Sequence, residues 1–222
     1  RNAARTEFPL SEHTQFSNSI REHIESGSTE STPGNTFSKL NGYASRVRMK
    51  HGQESADELL EATSSMLAST VKSDGSEYTF EAGHNGLAVG SIQSGKSASF
   101  IGLSSAMIDM GVKVVVVLSG VTDKLREQTQ SRLEKDLLRH EPSLFSPTTK
   151  SDLSSYREGN EKSENLWFQT QSACVQHLRK EGNAIFIVTK KNYATLRAVN
   201  TLLGHLLSKG LFGSRPVLII DD

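Results

Sequence analysis

The chain has 222 residues and a mass of 24.3 kDa, room for one large domain or a compact domain with an appended arm. Lys plus Arg and Asp plus Glu number 25 each, and this zero net charge argues against a nucleic-acid coat or membrane-surface module acting through bulk charge. The one cysteine, Cys174, rules out an internal disulfide and any multi-cysteine metal site, so a reducing cytoplasm is the expected location.

Residues 1–53 are rich in Ser, Thr, Asn, Glu and Gly and read as a polar arm, either a loosely packed helical extension or a linker. From Ser55 the text changes, and Leu59, Ala62, Met66, Leu67 and Val71 recur at helical spacing. That predicts one amphipathic helix, ended by the turn residues Ser73-Asp74-Gly75-Ser76. We place a domain boundary near residue 80, with residues 1–80 as the N-terminal extension and 81–222 as the main domain.

Strand and helix then alternate. Gly86-Leu87-Ala88-Val89-Gly90 is a short apolar run before a glycine-rich turn, and a helix over about 96–110 presents Phe100, Leu103 and Met107 on one face. Val114-Val115-Val116-Val117-Leu118 is β-branched without alternation, as in a parallel strand buried on both faces. It is also the longest purely aliphatic run, far short of the ~20 residues a membrane helix needs, so no membrane partner is expected. A helix over about 122–138 carries Leu125, Thr129, Leu133 and Leu137. The polar stretch from Glu141 to about Asn165 holds two of the five prolines and reads as a surface insertion. Ala184-Ile185-Phe186-Ile187-Val188 is the next buried strand. After it, a helix over about 192–209 turns Leu196, Val199, Leu203, Leu206 and Leu207 inward and closes on Gly210. Pro216-Val217-Leu218-Ile219-Ile220 opens a last strand, with Asp221 and Asp222 at its carboxyl end. This alternation predicts a doubly wound α/β sheet.

Gly90-Ser91-Ile92-Gln93-Ser94-Gly95-Lys96-Ser97 matches G-x-x-x-x-G-K-[ST] in full, which chance would supply in a chain of this composition about one time in a hundred. Glycines let successive N–H groups curl toward phosphate oxygens, and the following helix adds its positive end. Gly90, Gln93, Ser94 and Gly95 would bind nucleotide through this loop, Lys96 would reach the β- and γ-phosphates, and the Ser97 hydroxyl would ligate Mg²⁺. A triphosphate site also needs a carboxylate for the metal, commonly at the end of a buried strand, and Asp221 and Asp222 supply that pattern.

With these motifs in place, residues 86–222 resemble the first RecA-like lobe of superfamily-two helicases and, more closely, the endonuclease family defined by the so-called Z-one domain. The residues that carry the resemblance are Gly90 to Ser97, the stretch Val117-Leu118-Ser119-Gly120-Val121-Thr122-Asp123-Lys124-Leu125-Arg126-Glu127-Gln128-Thr129-Gln130-Ser131-Arg132-Leu133, then Val188-Thr189-Lys190-Lys191-Asn192, and Ile219-Ile220-Asp221-Asp222. It implies a P-loop NTPase that uses ATP and Mg²⁺, with Lys96, Asp221 and Asp222 in catalysis. Leu125 and Gln128 occupy the L-x-x-Q segment that lies near the nucleic-acid backbone in such helicases. Thr189 resembles the threonine that contacts strand phosphates, and Lys190 follows it. DNA, more than RNA, and subunits of a prokaryotic restriction-like or phage-defence system are the implied partners. The chain begins at Arg1 rather than Met and stops inside the acidic motif, so we expect a piece of a longer protein. The phosphate-loop strand and the acidic strand are not expected to be neighbours in the sheet.

Other features weigh less. Lys124, Arg126, Arg132, Lys135 and Arg139 would make a phosphate-tracking edge, but Asp123, Glu127, Glu134 and Asp136 interleave with them as on a solvated helix face. Trp167 and Phe168 are either a base-stacking pair or satellite core. No acid followed by acid-x-Lys in a strand context marks a metal nuclease. The expected function is therefore an ATP-hydrolysing lobe of a nucleic-acid motor. A non-motor nucleotide switch or a small-molecule kinase on the same loop is the alternative.

Overall fold

Two helices fill most of the stretch expected to be a polar arm. In the computed structural model, which describes residues 10–26, 37–73, 78–80, 96–148, 161–212 and 215–222, α1 spans Leu10–Ser26 and α2 spans Ser38–His51. The α2 signal is Leu40, Tyr43, Ala44 and Val47, an i, i+3, i+4, i+7 stripe that is buried throughout. Ile20 and Ile24 do the same for α1, each 1% exposed. The chain divides into two compact units, Arg1–Met110 and Gly111–Asp222.

In the first unit α3 (Gln53–Ala68) packs against α1 and α2, and α4 (Lys96–Asp109) packs against α2 and α3. The expected helix is α3, but Val71 lies beyond it in a short strand, β1 (Val71–Ser73), paired antiparallel with β2 (Tyr78–Phe80). The α4 helix is buried on more than the expected face. Phe100, Ile101, Ala106, Met107 and Ile108 are all inside, and the buried Ser104 and Ser105 hydroxyls donate to the Phe100 and Ile101 carbonyls at 2.7 and 2.8 Å. Gly102 brings the backbones of α3 and α4 together, since a β-carbon there would stand 2.6 Å from Thr63 Oγ1 and 2.8 Å from Leu59 Cδ1.

The Asp109 carboxylate, at the end of α4, closes the start of α2. It accepts the Lys39 and Leu40 N–H groups at 2.9 and 3.1 Å, with Lys39 Nζ at 3.4 Å. Phe37, the residue before α2, offers no side-chain cap, so a residue about seventy positions downstream does this work.

The second unit is α/β. Four parallel strands run in the order β4 (Leu144–Phe145), β5 (Ala184–Thr189), β3 (Val114–Leu118), β6 (Leu218–Asp221). Between them lie α5 (Asp123–Asp136), α6 (Glu161–Leu178) and α7 (Tyr193–Ser208). Val114, Val116, Ile185 and Ile187 form one core with Trp167, Cys174 and Leu178 of α6 and Ala198, Val199, Leu202 and Leu206 of α7. Right-handed crossovers put α5, which leads toward β4, on the other face of the sheet. At the end of α7, Gly210 (φ +68°) donates to the Leu207 carbonyl and Leu211 to that of Leu206, the double closure expected of a glycine there.

Three sequence expectations change. The stretch 141–165 is not only a surface insertion, because it contributes edge strand β4 and the first turn of α6, a helix that the sequence pattern did not reveal. On α5 the inward residues are Arg126, Gln130 and Leu133, with Leu137 buried just past its end, while Leu125 is 47% exposed. On α7, Leu196 and Leu207 face water, and Thr195, Ala198 and Leu202 take the inner side. The strand expected at 87–89 lies outside the described residues, so its pairing with β6 is not described; among the described residues β6 pairs with β3.

Candidate functional site

Gly90, Gln93, Ser94 and Gly95 of the phosphate-loop motif lie outside the described residues. Lys96 and Ser97 are the first two residues of α4, so the motif runs directly into a 14-residue helix. A helix N-terminus directly after the motif is what phosphate binding there requires.

Of the other candidate residues, Thr189, Lys190, Asp221 and Asp222 sit at the carboxyl ends of β5 and β6, and Gln128 lies within α5. The chain leaves β3 through α5 toward one edge of the sheet and leaves β5 through α7 toward the other. Adjacent strands whose connections diverge to opposite faces open a crevice beyond their carboxyl ends, where open α/β sheets bind ligands. Backbone bonds lace this rim: Ser119 N–H donates to the Thr189 carbonyl (2.9 Å), Lys191 N–H to that of Gly120 (2.8 Å), and Asp222 N–H to that of Leu118 (3.0 Å). Both helices start with side-chain caps. Thr122 Oγ1 accepts Leu125 N–H at 3.3 Å, and Asn192 Oδ1 accepts Thr195 N–H at 3.0 Å.

The charged groups of the rim are paired. Lys190 Nζ lies 2.8 Å from Asp123 Oδ1. Lys191 Nζ contacts Asp221 Oδ1 and donates to the Asp222 carbonyl at 2.7 Å. Asp221 remains 70% exposed in its side chain. Gln128 is exposed, as a backbone-tracking residue would have to be. Thr189 is not. It is fully buried, and its hydroxyl has no hydrogen-bond partner among the described residues, so it does not present itself to a phosphate. The basic edge expected along α5 loses Arg126, which is 1% exposed and turned into the unit.

Arg126 belongs to a buried polar cluster that an apolar stripe does not mark. Its Nη1 donates to the Thr148 carbonyl (3.1 Å), and Gln130 Nε2 donates to Ser146 Oγ (3.2 Å). Thr148 Oγ1 accepts the Val188 N–H at 2.9 Å, so a threonine hydroxyl serves the edge of β5 beyond the two residues that β4 covers. The signal was present as the i, i+4, i+7, i+11 set Arg126, Gln130, Leu133, Leu137. Two polar members disguised it.

Trp167 belongs to the core, whereas Phe168 beside it is 67% exposed. His177 bonds to the Ser143 carbonyl (3.0 Å) and lies against Phe145. Burial pushes the Cys174 thiol up to about 12, far from a reactive thiolate.

Asp221 is an exposed carboxylate at a strand end, and the Lys191 ammonium stands against it. Among the described residues no group of three or more His, Cys, Asp or Glu side chains is placed to hold a metal. A cation here would rely on one or two carboxylates, water and substrate phosphates, as Mg²⁺ commonly does. No helix among the described residues is long and apolar enough to cross a membrane. No family model, curated protein or solved structure matches the chain.

Proposed function

We propose that the chain is the ATP-binding and ATP-hydrolysing part of a helicase-like nucleic-acid motor of RecA-like P-loop type, belonging to a prokaryotic restriction-like or phage-defence system. The observation that carries the reading is the complete phosphate-loop motif, Gly90 to Ser97, whose last two residues open α4. A parallel sheet with an acidic strand end and diverging connections supports it.

The chemistry would be phosphoryl transfer to water. Lys96 would neutralise charge that develops on the transferred group, and Ser97 would offer Mg²⁺ a hydroxyl ligand. Mg²⁺, when bound, spreads the negative charge of the β- and γ-phosphates. Gln128, Lys190 and the ends of β3 and β5 would face the nucleic-acid track, DNA rather than RNA.

One observation favours the second reading, a non-motor nucleotide switch. Lys190 and Lys191 are both engaged by acids and Thr189 is buried, so neither lysine stands ready for the phosphate contacts that a nucleic-acid track needs. ATP turnover with and without nucleic acid decides between them. In the motor, single- or double-stranded nucleic acid stimulates turnover, and added salt weakens the stimulation steeply. Lys96→Ala should lower turnover at least about a hundredfold, the usual scale for removing one transition-state charge contact. Parental turnover in that variant would refute the nucleotide site, and indifference to nucleic acid at low salt would select the switch.

A further inference from the structure

Helix α7 carries two apolar faces, and the core of the second unit uses one of them. Thr195, Ala198, Val199, Leu202 and Leu206 are buried. On the outer side, Tyr193, Leu196, Asn200, Leu203 and Leu207 follow one another at steps of three, four, three and four residues, the spacing of a seam between two helices. Tyr193 is 80% exposed, Leu207 60% and Leu196 41%, with Asn200 exposed and Leu203 half-buried. Exposed apolar residues scattered singly need no explanation, but a row along the whole helix does. The row runs ~21 Å at 1.5 Å per residue, the footprint of another helix.

We infer that the outer face of α7 is an interface between two copies of this chain, packed antiparallel about a two-fold axis through Asn200. The row is its own complement. Asn200 is its midpoint, seven residues from Tyr193 and seven from Leu207. A second α7 laid antiparallel across that axis sets Tyr193 against Leu207 and Leu196 against Gly204, each contact occurring twice as a two-fold interface requires. Gly204 is exposed, and a β-carbon added there would meet nothing within 4 Å, so it leaves an open notch for the leucine. Asn200 meets its own copy. An amide carries both donors and an acceptor and so pairs with itself, and one polar residue within an apolar seam fixes the register of a helix pair. Charge selects the antiparallel sense. Helix α7 holds Arg197 and His205 and no acid, so a parallel pair would stack like charges and like helix ends. Antiparallel packing offsets the two Arg197 side chains by ~9 Å along the axis. This inference stands apart from the nucleotide reading, since none of its residues belongs to that site. One helix face is a small interface, so the dimer is weak and concentration-dependent.

Sedimentation equilibrium of the whole chain tests the face, and cross-linking tests the axis. The parent should pass from monomer to dimer as its concentration rises from micromolar to millimolar. Leu196→Asp and Leu207→Asp lie at exposed positions, so both should fold, as circular dichroism checks, and each should weaken the dimer at least about tenfold by stranding a charge in the seam. Cys174 is buried, so an introduced surface cysteine is the one that reacts. With a short bismaleimide, Asn200→Cys should give covalent dimer, whereas Thr201→Cys, exposed but off the row, should give little. Leu196→Cys chains mixed with Gly204→Cys chains should link to each other and not to themselves. A parent that stays monomeric at millimolar concentration overturns the proposal, as does a dimer that both aspartate variants leave intact. Equal cross-linking at positions 200 and 201, or Leu196→Cys chains that link among themselves, overturns it too.

Discussion

Asp109 is the residue whose replacement tests the first unit most directly. Its carboxylate is buried, with 2% of the side chain exposed, and burial raises its pKa to about 6 even though the Leu40 and Lys39 N–H groups and the Lys39 ammonium pull the other way. Moving a carboxyl from 3.8 to about 6 corresponds to roughly 3 kcal/mol between its two protonation states. The folded chain therefore retains a proton that the unfolded chain releases between about pH 4 and 6. Asp109's contribution to stability is greatest below pH 4 and falls by up to about 3 kcal/mol as the pH rises through 6. Asp109→Asn keeps an acceptor for α2 and cannot titrate, so it lacks that decline. Plotted against pH, the urea stability of the parent minus that of Asp109→Asn should drop by about 3 kcal/mol between pH 4 and 7. Asp109→Ala removes the acceptor itself and should cost about 1–2 kcal/mol at pH 7, the range for losing a helix N-cap. Amide exchange at Lys39 and Leu40 should accelerate in Asp109→Ala and change little in Asp109→Asn. Parallel pH curves for the parent and Asp109→Asn, or intact protection of both amides in Asp109→Ala, would refute the account.

Three further outcomes follow from the packing. Gly102→Ala places a methyl 2.6 Å from Thr63 Oγ1 and should lower the midpoint of thermal unfolding, at a cost of about 1–3 kcal/mol. Arg126→Ala should cost about 3 kcal/mol by urea titration, because the buried Thr148 carbonyl loses its donor and the side-chain volume is vacated, whereas Arg132→Ala on the exposed face of the same helix should change stability by less than about 0.5 kcal/mol. Cys174 should resist a thiol-labelling reagent at pH 8 until the second unit unfolds, so that the labelling rate tracks urea concentration.

The sheet was legible where a single physical demand governed the residues. Val114 to Leu118 and Ala184 to Thr189 are buried on both faces, and such strands leave an unbroken β-branched run in the text. Gly210 as the close of α7 was readable for the same reason, since it answers one backbone requirement. Helices that bury polar groups were not. On α5 the core takes in Arg126 and Gln130, which donate to the Thr148 carbonyl and Ser146 Oγ, so the apolar pattern points to Leu125, one position away. On α6, Leu166, Trp167 and Phe168 are consecutive but only Trp167 is buried, so hydrophobicity alone shows no face. The cap on α2 comes from Asp109, a partner no local window contains.

The rim of the second unit shows how the same residues serve a fold and a proposed site at once. Lys190 and Lys191 cannot both be free for phosphate and hold Asp123 and Asp221. Buried pairs would make that conflict expensive, because separating them strands a charge away from water. These pairs instead place their acids at the surface, with Asp123 and Asp221 about 70% exposed in their side chains. Water can therefore take over either acid when its lysine leaves, and the exchange is close to balanced. Under the proposed function, a phosphate that took up Lys190 or Lys191 would set Asp123 or Asp221 free rather than meet an unpaired charge.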